Sequence, residues 1–344
     1  MTGKIFLETY QLVRRHLQVV FYVFKVIVPI IIRSGKKPVI FSRWSGIGDI
    51  ICTFPAALEI EKQHNGREFI YNCYRGYGCL PIMAGAAQTV TSLECVGLIG
   101  RWYHFLLGGF YSFASDDDRP EESSAEIYIK DFGRPFGLTL GGEHPSLGID
   151  QHILAVIRGK LASLEISDHS MIIIHTGPSW PVREWPGQSW QLLINELRAK
   201  GFGNIIQVGT SSNPLTPGAE KIVKLEGVIS LLDQMDLEET ISLISMAKLF
   251  IGIDSGLLHA AAAVKTPTIG LWGATSPQFR FSEDNRKLHV TSGIDCQGCH
   301  HRAPRLHWMT GCPHDLACMK SIQVKDILEN SVSILLKKQN MQPL

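Results

Sequence analysis

The stretch Leu249-Phe250-Ile251-Gly252-Ile253-Asp254-Ser255-Gly256-Leu257-Leu258-His259, followed by Ala260–Val264 and then Thr268–Leu271, decides how the chain is read. Leu249–Ile253 is an apolar run of strand length, Leu257–Val264 an alanine-rich run of helical character, and Thr268–Leu271 a second strand-like run. Strand, helix and strand in direct succession predict a parallel crossover. At the first corner stand an acid, a hydroxyl and a glycine: Asp254, Ser255 and Gly256. Free N–H groups and the dipole at a helix start favour phosphate, and Gly256 lets a ligand come close. A helix cap of Asp and Ser with Gly making the turn has the same pattern, so this segment alone leaves both readings open.

Working outward, Met171–Ile174 reads as a strand, Gln188–Ala199 as a helix, Asn204–Val208 as a strand and Leu237–Ala247 as a helix, so the second half is predicted to be doubly wound. Between the first of these strands and its helix lies His175-Thr176-Gly177-Pro178-Ser179-Trp180-Pro181-Val182-Arg183-Glu184-Trp185-Pro186. Thr176 and Ser179 can donate to phosphate oxygens beside the flexible Gly177, and Arg183 offers a planar fork to a diphosphate. A polar loop that only supports the scaffold is the alternative. In the first half, Pro38–Phe41 reads as a strand, Ser45-Gly46-Ile47-Gly48 as a turn and Asp49 to about Gln63 as a helix. Asp49 is then a carboxylate at a strand's carboxyl end, a candidate base or simply a helix-start acid favoured by the dipole. Phe69–Tyr71 suits a further strand, and Asp116–Glu122 a solvated acidic loop.

A chain of 344 residues predicts two domains, with a junction near residues 145–168. With 45% hydrophobic and 19% charged residues it is globular, and a net charge of +1 gives no whole-molecule attraction to nucleic acid. The first strand is not followed by G-x-G-x-x-G, which argues against a nicotinamide oxidoreductase. Ser34-Gly35-Lys36-Lys37-Pro38, after the apolar region near the start, does not resemble a small-residue secretory cleavage site, so a reducing, cytoplasmic compartment is expected.

Leu17–Ile32 is broken among its polar residues only by Gln18 and Lys25. It is short for a span, Lys25 would sit at mid-depth, and Pro29 disturbs the last turn. Arg14, Arg15, Arg33, Lys36 and Lys37 suit anionic headgroups. An interfacial or partly inserted anchor is favoured over a true span and over a helix packed on its own protein. Cys296, Cys299, Cys312 and Cys318 are spaced for a tetrahedral thiolate site, with disulfides or free buried thiols as alternatives; spacing does not distinguish iron from zinc. His300, His301, His307 and His314 are nearby substitutes or polar surface.

Three segments together, SGIGD (Ser45–Asp49), HTGPSWPVREWP (His175–Pro186) and IGIDSGLLHAAAAVKTPTIGLWGATSP (Ile251–Pro277), resemble the ADP-heptose:lipopolysaccharide heptosyltransferases, glycosyltransferase family 9. The resemblance runs over roughly residues 38 to 330 and implies the α/β GT-B architecture, two Rossmann-like doubly wound domains facing a cleft. Here an apolar helix over residues 1–35 precedes an acceptor domain at 36–155 and a nucleotide-sugar domain at 165–335. The resemblance implies inverting transfer from a nucleotide sugar, an ADP-sugar, to a glycan, lipid-linked or protein acceptor. Asp49 would be the general base, and Thr176 and Arg183 would stabilise the leaving diphosphate. The backbone of Ser255, Gly256 and Leu257 would hold phosphate, Asp254 would meet the donor sugar or phosphate edge, and His259 would brace the loop. No metal is needed for that transfer. The cysteine cluster resembles the four-cysteine iron finger of heptosyltransferases that modify autotransporter proteins, implying a structural iron or zinc. The expected place of action is the cytoplasmic side of the inner membrane, peripheral or N-terminally anchored. Arg183 stands where the family usually has Lys, and Gly209-Thr210-Ser211-Ser212-Asn213 replaces the usual acid after the second strand of the donor domain. The competing class is a nucleotide-binding or metal-finger interaction protein without catalysis.

Overall fold

A computed structural model describes residues 2–93, 109–112, 128–141, 144–167, 170–211, 225–282, 287–302 and 312–337. Cys95, the acidic stretch Asp116–Glu122, Ser212, Asn213 and His307 lie outside these. The chain divides into two compact units: Met1–Ser115 with Phe132–Leu140, and Asp116–Asp131 with Gly141–Leu344.

The first unit starts with helix α1 (Thr2–Tyr22), one π-helical turn (Val23–Ile27) and helix α2 (Val28–Ser34). The π turn lies just before Pro29, which lacks an N–H and whose ring would clash with the carbonyl four residues back; widening the helix there, with Val28 N–H bonded to Val23 O, relieves that conflict. Then come β1 (Val39–Ser42), α3 (Ile47–Gln63), β2 (Phe69–Asn72), the short α4 (Cys79–Met83), β3 (Thr89–Thr91) and β4 (Phe110–Ser112). The strands form a parallel sheet in the order β3-β2-β1-β4. All of β1 and β2 is buried, because both faces are covered. Ile40 and Ile70 point to one face, under Val19, Tyr22, Ile27 and Ile30 of the N-terminal helix. Phe41 and Tyr71 point to the other, where Phe54 of α3 meets Tyr71 edge-on. A buried polar chain ties the helix to the strand ends: Tyr22 Oη lies 3.1 Å from Thr91 Oγ1, Thr91 donates to Asn72 Oδ1, and Asn72 Nδ2 donates to Ser42 Oγ. Burial pushes the Tyr22 hydroxyl up to about 12, against the effect of its hydrogen bond with Thr91.

The second unit contains α5 (Gln151–Ser163), β5 (Ile172–His175), α6 (Gly187–Ala199), β6 (Ile205–Gln207), β7 (Ile229–Ser230), α7 (Leu237–Met246), β8 (Leu249–Ile253), α8 (Gly256–Ala263), β9 (Thr268–Trp272), β10 (Val290–Thr291), two short helices α9 (Cys299–Arg302) and α10 (Ala317–Lys320), and α11 (Val324–Lys337). Its six strands are all parallel, ordered β10-β9-β8-β5-β6-β7. Counted from β5, this is the doubly wound order 3-2-1-4-5-6 read from the other side. Helix α5, inside the stretch expected to join the domains, packs through Ile157 and Leu161 into this unit's core, with Asp150 capping it by accepting from His152 N–H. Alternate strand residues serve the two faces: Ile172 and Ile174 pack with Trp190, Leu193 and Leu197 of α6, Ile173 with Leu243 and Ile244 of α7.

Behind α8, His144 stacks on Phe281 at 4.9 Å and on His259 at 5.5 Å, its Nε2 3.0 Å from the His259 carbonyl. Trp272 Nε1 donates to His289 Nδ1 at 2.8 Å. Burial depresses His144 to about 4 and His289 to about 3, outweighing the carbonyl at His144 and the charge of Asp254 at His289. The unfolded chain therefore takes up these protons first on acidification, so the stability they give is complete above about pH 6.5 and is lost as pH falls from there toward 4. For His144 alone the loss is roughly 3 kcal/mol at full development. Melting temperatures measured from pH 7 to 4.5 should fall, and His144→Phe should flatten that slope while keeping the stack; an unchanged slope in the variant contradicts the assignment.

Candidate functional site

In the second unit β5 and β8 are neighbours, but the chain winds away from them in opposite directions, through β6 and β7 on one side and through β9 and β10 on the other. Loops leaving the carboxyl ends of two such strands part and open a crevice, the general ligand position of this sheet type. The two loops here are the ones singled out in the sequence, residues 176–186 after β5 and 254–255 after β8.

Asp254 is 3% exposed, and its carboxylate meets Arg183 Nε at 3.1 Å and the Thr275 hydroxyl. Arg183 Nη1 also donates to the Asp254 carbonyl at 3.4 Å. Burial acts to raise the Asp254 carboxyl, but Arg183, His259, the Thr275 hydrogen bond and Arg280 together hold it below the usual carboxylate range. The side chain thus holds the two loops together. Ser255 is extended (φ −154°, ψ 168°) at the N-cap of α8 and makes no cap hydrogen bond; its Oγ is buried and has no hydrogen-bond partner among the described residues. Leu258 N–H bonds the Ser255 carbonyl at 3.2 Å, which leaves the N–H groups of Gly256 and Leu257 as the donors of the first turn of α8 without an intrahelical acceptor. A buried hydroxyl and these donors face an anion-shaped need beside a guanidinium.

Thr176 Oγ1 accepts from Gln207 Nε2 at 3.0 Å, which orients the hydroxyl. Gly177 adopts φ +111°, a conformation side chains rarely take, and a Cβ there would lie 3.5 Å from Ile253. Ser179 is buried, its N–H held by Glu184 Oε1 at 3.2 Å. His175 packs close to Gly209, where a Cβ would come within 2.8 Å of its Nδ1. His259 is 5% exposed, stacked on Phe281 at 5.0 Å, behind the loop. Leu257, in the first turn of α8, packs into the core.

In the first unit the N-cap of α3 is Gly46, with Asp49 in the first turn. Ser45 Oγ donates to Asp49 Oδ2, and the buried Arg43 brings Nη2 to 3.8 Å of the same oxygen while its guanidinium lies over the Phe132 ring at 5.0 Å. The Asp49 side chain is 36% exposed. Its carboxylate is thus oriented from one side by a hydroxyl and a fixed cation while remaining reachable.

Among the described residues, Cys52, Cys73, Cys79, Cys296, Cys299, Cys312 and Cys318 form no disulfide with one another. Cys318 is buried, and its thiol is pushed up to about 11 by burial and then by Cys296, Cys312 and Cys299, while the Met319 N–H acts the other way. All three therefore bear electrostatically on it, yet among the described residues no three His, Cys, Asp or Glu side chains converge closely enough to hold a metal ion. Arg43, Ser45, Gln207, Thr275 and Arg280 were not singled out from the sequence. Thr275 lies inside the quoted stretch Ile251–Pro277, the available signal for it; nothing local marks Arg280.

Residues 95–309 match the profile of glycosyltransferase family 9 (heptosyltransferase). A segment of 142 residues is 25% identical to lipopolysaccharide heptosyltransferase 1 of Pseudomonas aeruginosa, 41% of this chain and 39% of that protein. The aligned part is thus well under two thirds of that relative's length. The structure resembles Escherichia coli ADP-heptose lps heptosyltransferase II (TM-score 0.61, 15% identity, 88% of this chain and 99% of that one). It also resembles TibC of enterotoxigenic E. coli, a dodecameric iron-containing heptosyltransferase solved with ADP-D-beta-D-heptose (TM-score 0.66, 16% identity, 89% of this chain and 79% of that one). At these identities the structural likeness shows the fold, while the profile covers more than half of the chain, which therefore belongs to glycosyltransferase family 9, the heptosyltransferases.

Proposed function

We propose that the chain transfers a heptose-like sugar from a nucleoside-diphosphate sugar, ADP-heptose, to a hydroxyl of a lipopolysaccharide-type glycan, with inversion at the anomeric carbon. The observation that carries this reading is the unpartnered buried Ser255 hydroxyl at the start of α8, beside Arg183, at the switch point of the second sheet. Donor binding is assigned to the second unit, with Thr176, Gly177, Ser179, Gly256 and Leu257 lining the diphosphate. Acceptor binding and Asp49 are assigned to the first. That TibC was solved with ADP-heptose supports the choice of donor.

The acceptor oxygen forms a bond to the anomeric carbon while the bond from that carbon to the diphosphate oxygen breaks. The acceptor proton passes to the Asp49 carboxylate, and the nucleoside diphosphate leaves with the electron pair. Ser45 and Arg43 hold Asp49 in position. Negative charge grows on the leaving oxygen, where Arg183 and the N–H groups at α8 meet it, so their effect is largest in the transition state. Asp254, buried and paired, acts through Arg183 as a positioning residue, not through the sugar itself. These protein groups account for transfer without a metal. A structural iron or zinc at Cys296, Cys299, Cys312 and Cys318 is supported by the thiols that bear on Cys318 and by the iron of TibC. Those four side chains would draw together around the ion, and it would lower the Cys318 thiol that burial first, and the neighbouring cysteines second, push up. Action at the cytoplasmic face of the inner membrane completes the proposal.

Asp49→Asn should keep fold and donor affinity yet slow transfer by roughly a hundredfold or more; near-normal transfer rejects it as the base and leaves nucleotide binding as the second reading. Arg183→Ala should lower turnover and melting temperature together, because it strands the buried Asp254. Adding Asp254→Asn should recover much of the melting temperature but not turnover; recovery of both removes Arg183 from the chemistry. Purified from cobalt-supplemented cells, the chain should show thiolate-to-cobalt absorption with one metal per chain, lost in Cys318→Ser; a metal-free chain of unchanged stability excludes the site.

A further inference from the structure

The N-terminal helix is apolar on two opposite sides. Val19, Tyr22, Ile27 and Ile30 are buried under the first unit, packed on Ile40, Ile70 and Leu93. Tyr10, Val13, Leu17, Val20, Phe21 and Phe24 are exposed, with Leu17, Phe21 and Phe24 each more than 60% open. Their spacing follows the helical repeat, so at 1.5 Å per residue they form one stripe about 21 Å long on the side turned away from the sheet. Arg14 and Lys25 border that stripe along one edge, with Lys25 Nζ 5.3 Å from the centre of the Phe21 ring. From Thr9 to Gly48 the sequence holds seven Lys or Arg and no Asp or Glu.

We infer that this helix docks the first unit on an anionic lipid surface by lying in the plane of the interface, its outer stripe among the acyl chains and its basic edge at the headgroups. This deepens the membrane placement proposed above and is independent of the transfer chemistry. Val13–Ser34 is long and apolar enough to cross a bilayer. Crossing, however, would strip the buried face from the sheet, break the Tyr22–Thr91 hydrogen bond and put Lys25 at mid-depth. Lying flat keeps every one of those contacts and lets Arg14 and Lys25 reach the headgroups. A second copy of this chain fits the stripe less well: a self-complementary pairing sets two basic edges with no acid against each other, whereas anionic lipid complements them.

The test is flotation of the full chain with vesicles of phosphatidylglycerol and phosphatidylethanolamine, and with phosphatidylcholine alone. Binding should be at least tenfold stronger to the anionic vesicles, and salt should weaken it. Leu17→Glu with Phe21→Glu should lose tenfold or more of that binding at an unchanged melting temperature, since both side chains are already in water. Arg14→Glu with Lys25→Glu should lose only the preference for anionic lipid. An alkaline carbonate wash should release the bound protein. The inference is overturned if the stripe variants float like the wild type, if the wash leaves the protein embedded, or if the chain dimerises through the stripe and ignores vesicles. Asp49→Asn should float normally, so loss of transfer and loss of docking are read separately.

Discussion

A carboxylate moved from water into a protein interior costs several kcal/mol unless a cation and hydrogen bonds compensate it, and removing its partner alone is strongly destabilising. Asp254 is in that position, with Arg183 on one side, the Thr275 hydroxyl on another, and Arg280 and His259 close enough to act on its charge. The pair has a geometric effect as well. Arg183 belongs to the loop after β5 and Asp254 to the loop after β8, and these loops start side by side because the strand order places β5 against β8. Sheet topology brings the loops together, the ion pair fixes their spacing, and the open start of α8 is left facing the gap between them.

Much of this was readable from sequence for a simple reason. A parallel strand covered on both faces must be apolar at every position, so β1, β5, β8 and β9 appear as unbroken runs, and the observed bounds differ from the expected ones by one residue or so. Where strands are short and only half covered, as in β3 and β4, that signal fails, and β4 falls in a stretch the sequence left unassigned. Thr275 and Arg280 are missed for another reason: their partner is more than twenty residues away, and which distant hydroxyl or guanidinium reaches a buried acid is settled by the fold alone. The four cysteines show the same division. Their spacing is visible along the chain, whereas the convergence that a metal needs is a property of three dimensions.

The N-terminal helix illustrates a further limit. Average hydropathy adds the two faces together, so a helix that is half core and half exposed gives the same number as a span. Separating them takes the direction of each side chain. Val19 and Val20 are adjacent and chemically identical, yet one is 1% exposed and the other 42%. Three readings of the segment were therefore open, and the structure shows the part about packing to hold for one face.

The π-helical turn sets which face is which. It takes up one extra residue within a single turn, closing its hydrogen bond over five residues where an α turn uses four, so α1 and α2 stay in phase and the inward side of each segment meets the same sheet. Deleting one residue between Val23 and Val26 would therefore restore an ordinary α-helix with Val19 and Tyr22 still in line with Ile27 and Ile30, the spacing of one helical stripe. A residue removed from α1 or α2 proper has no such outlet, and would turn everything before it by about 100°. Length is consequently tolerant at this one turn and strict on either side of it: the turn is the place where a chain of this kind can gain or lose a residue without rebuilding its first layer.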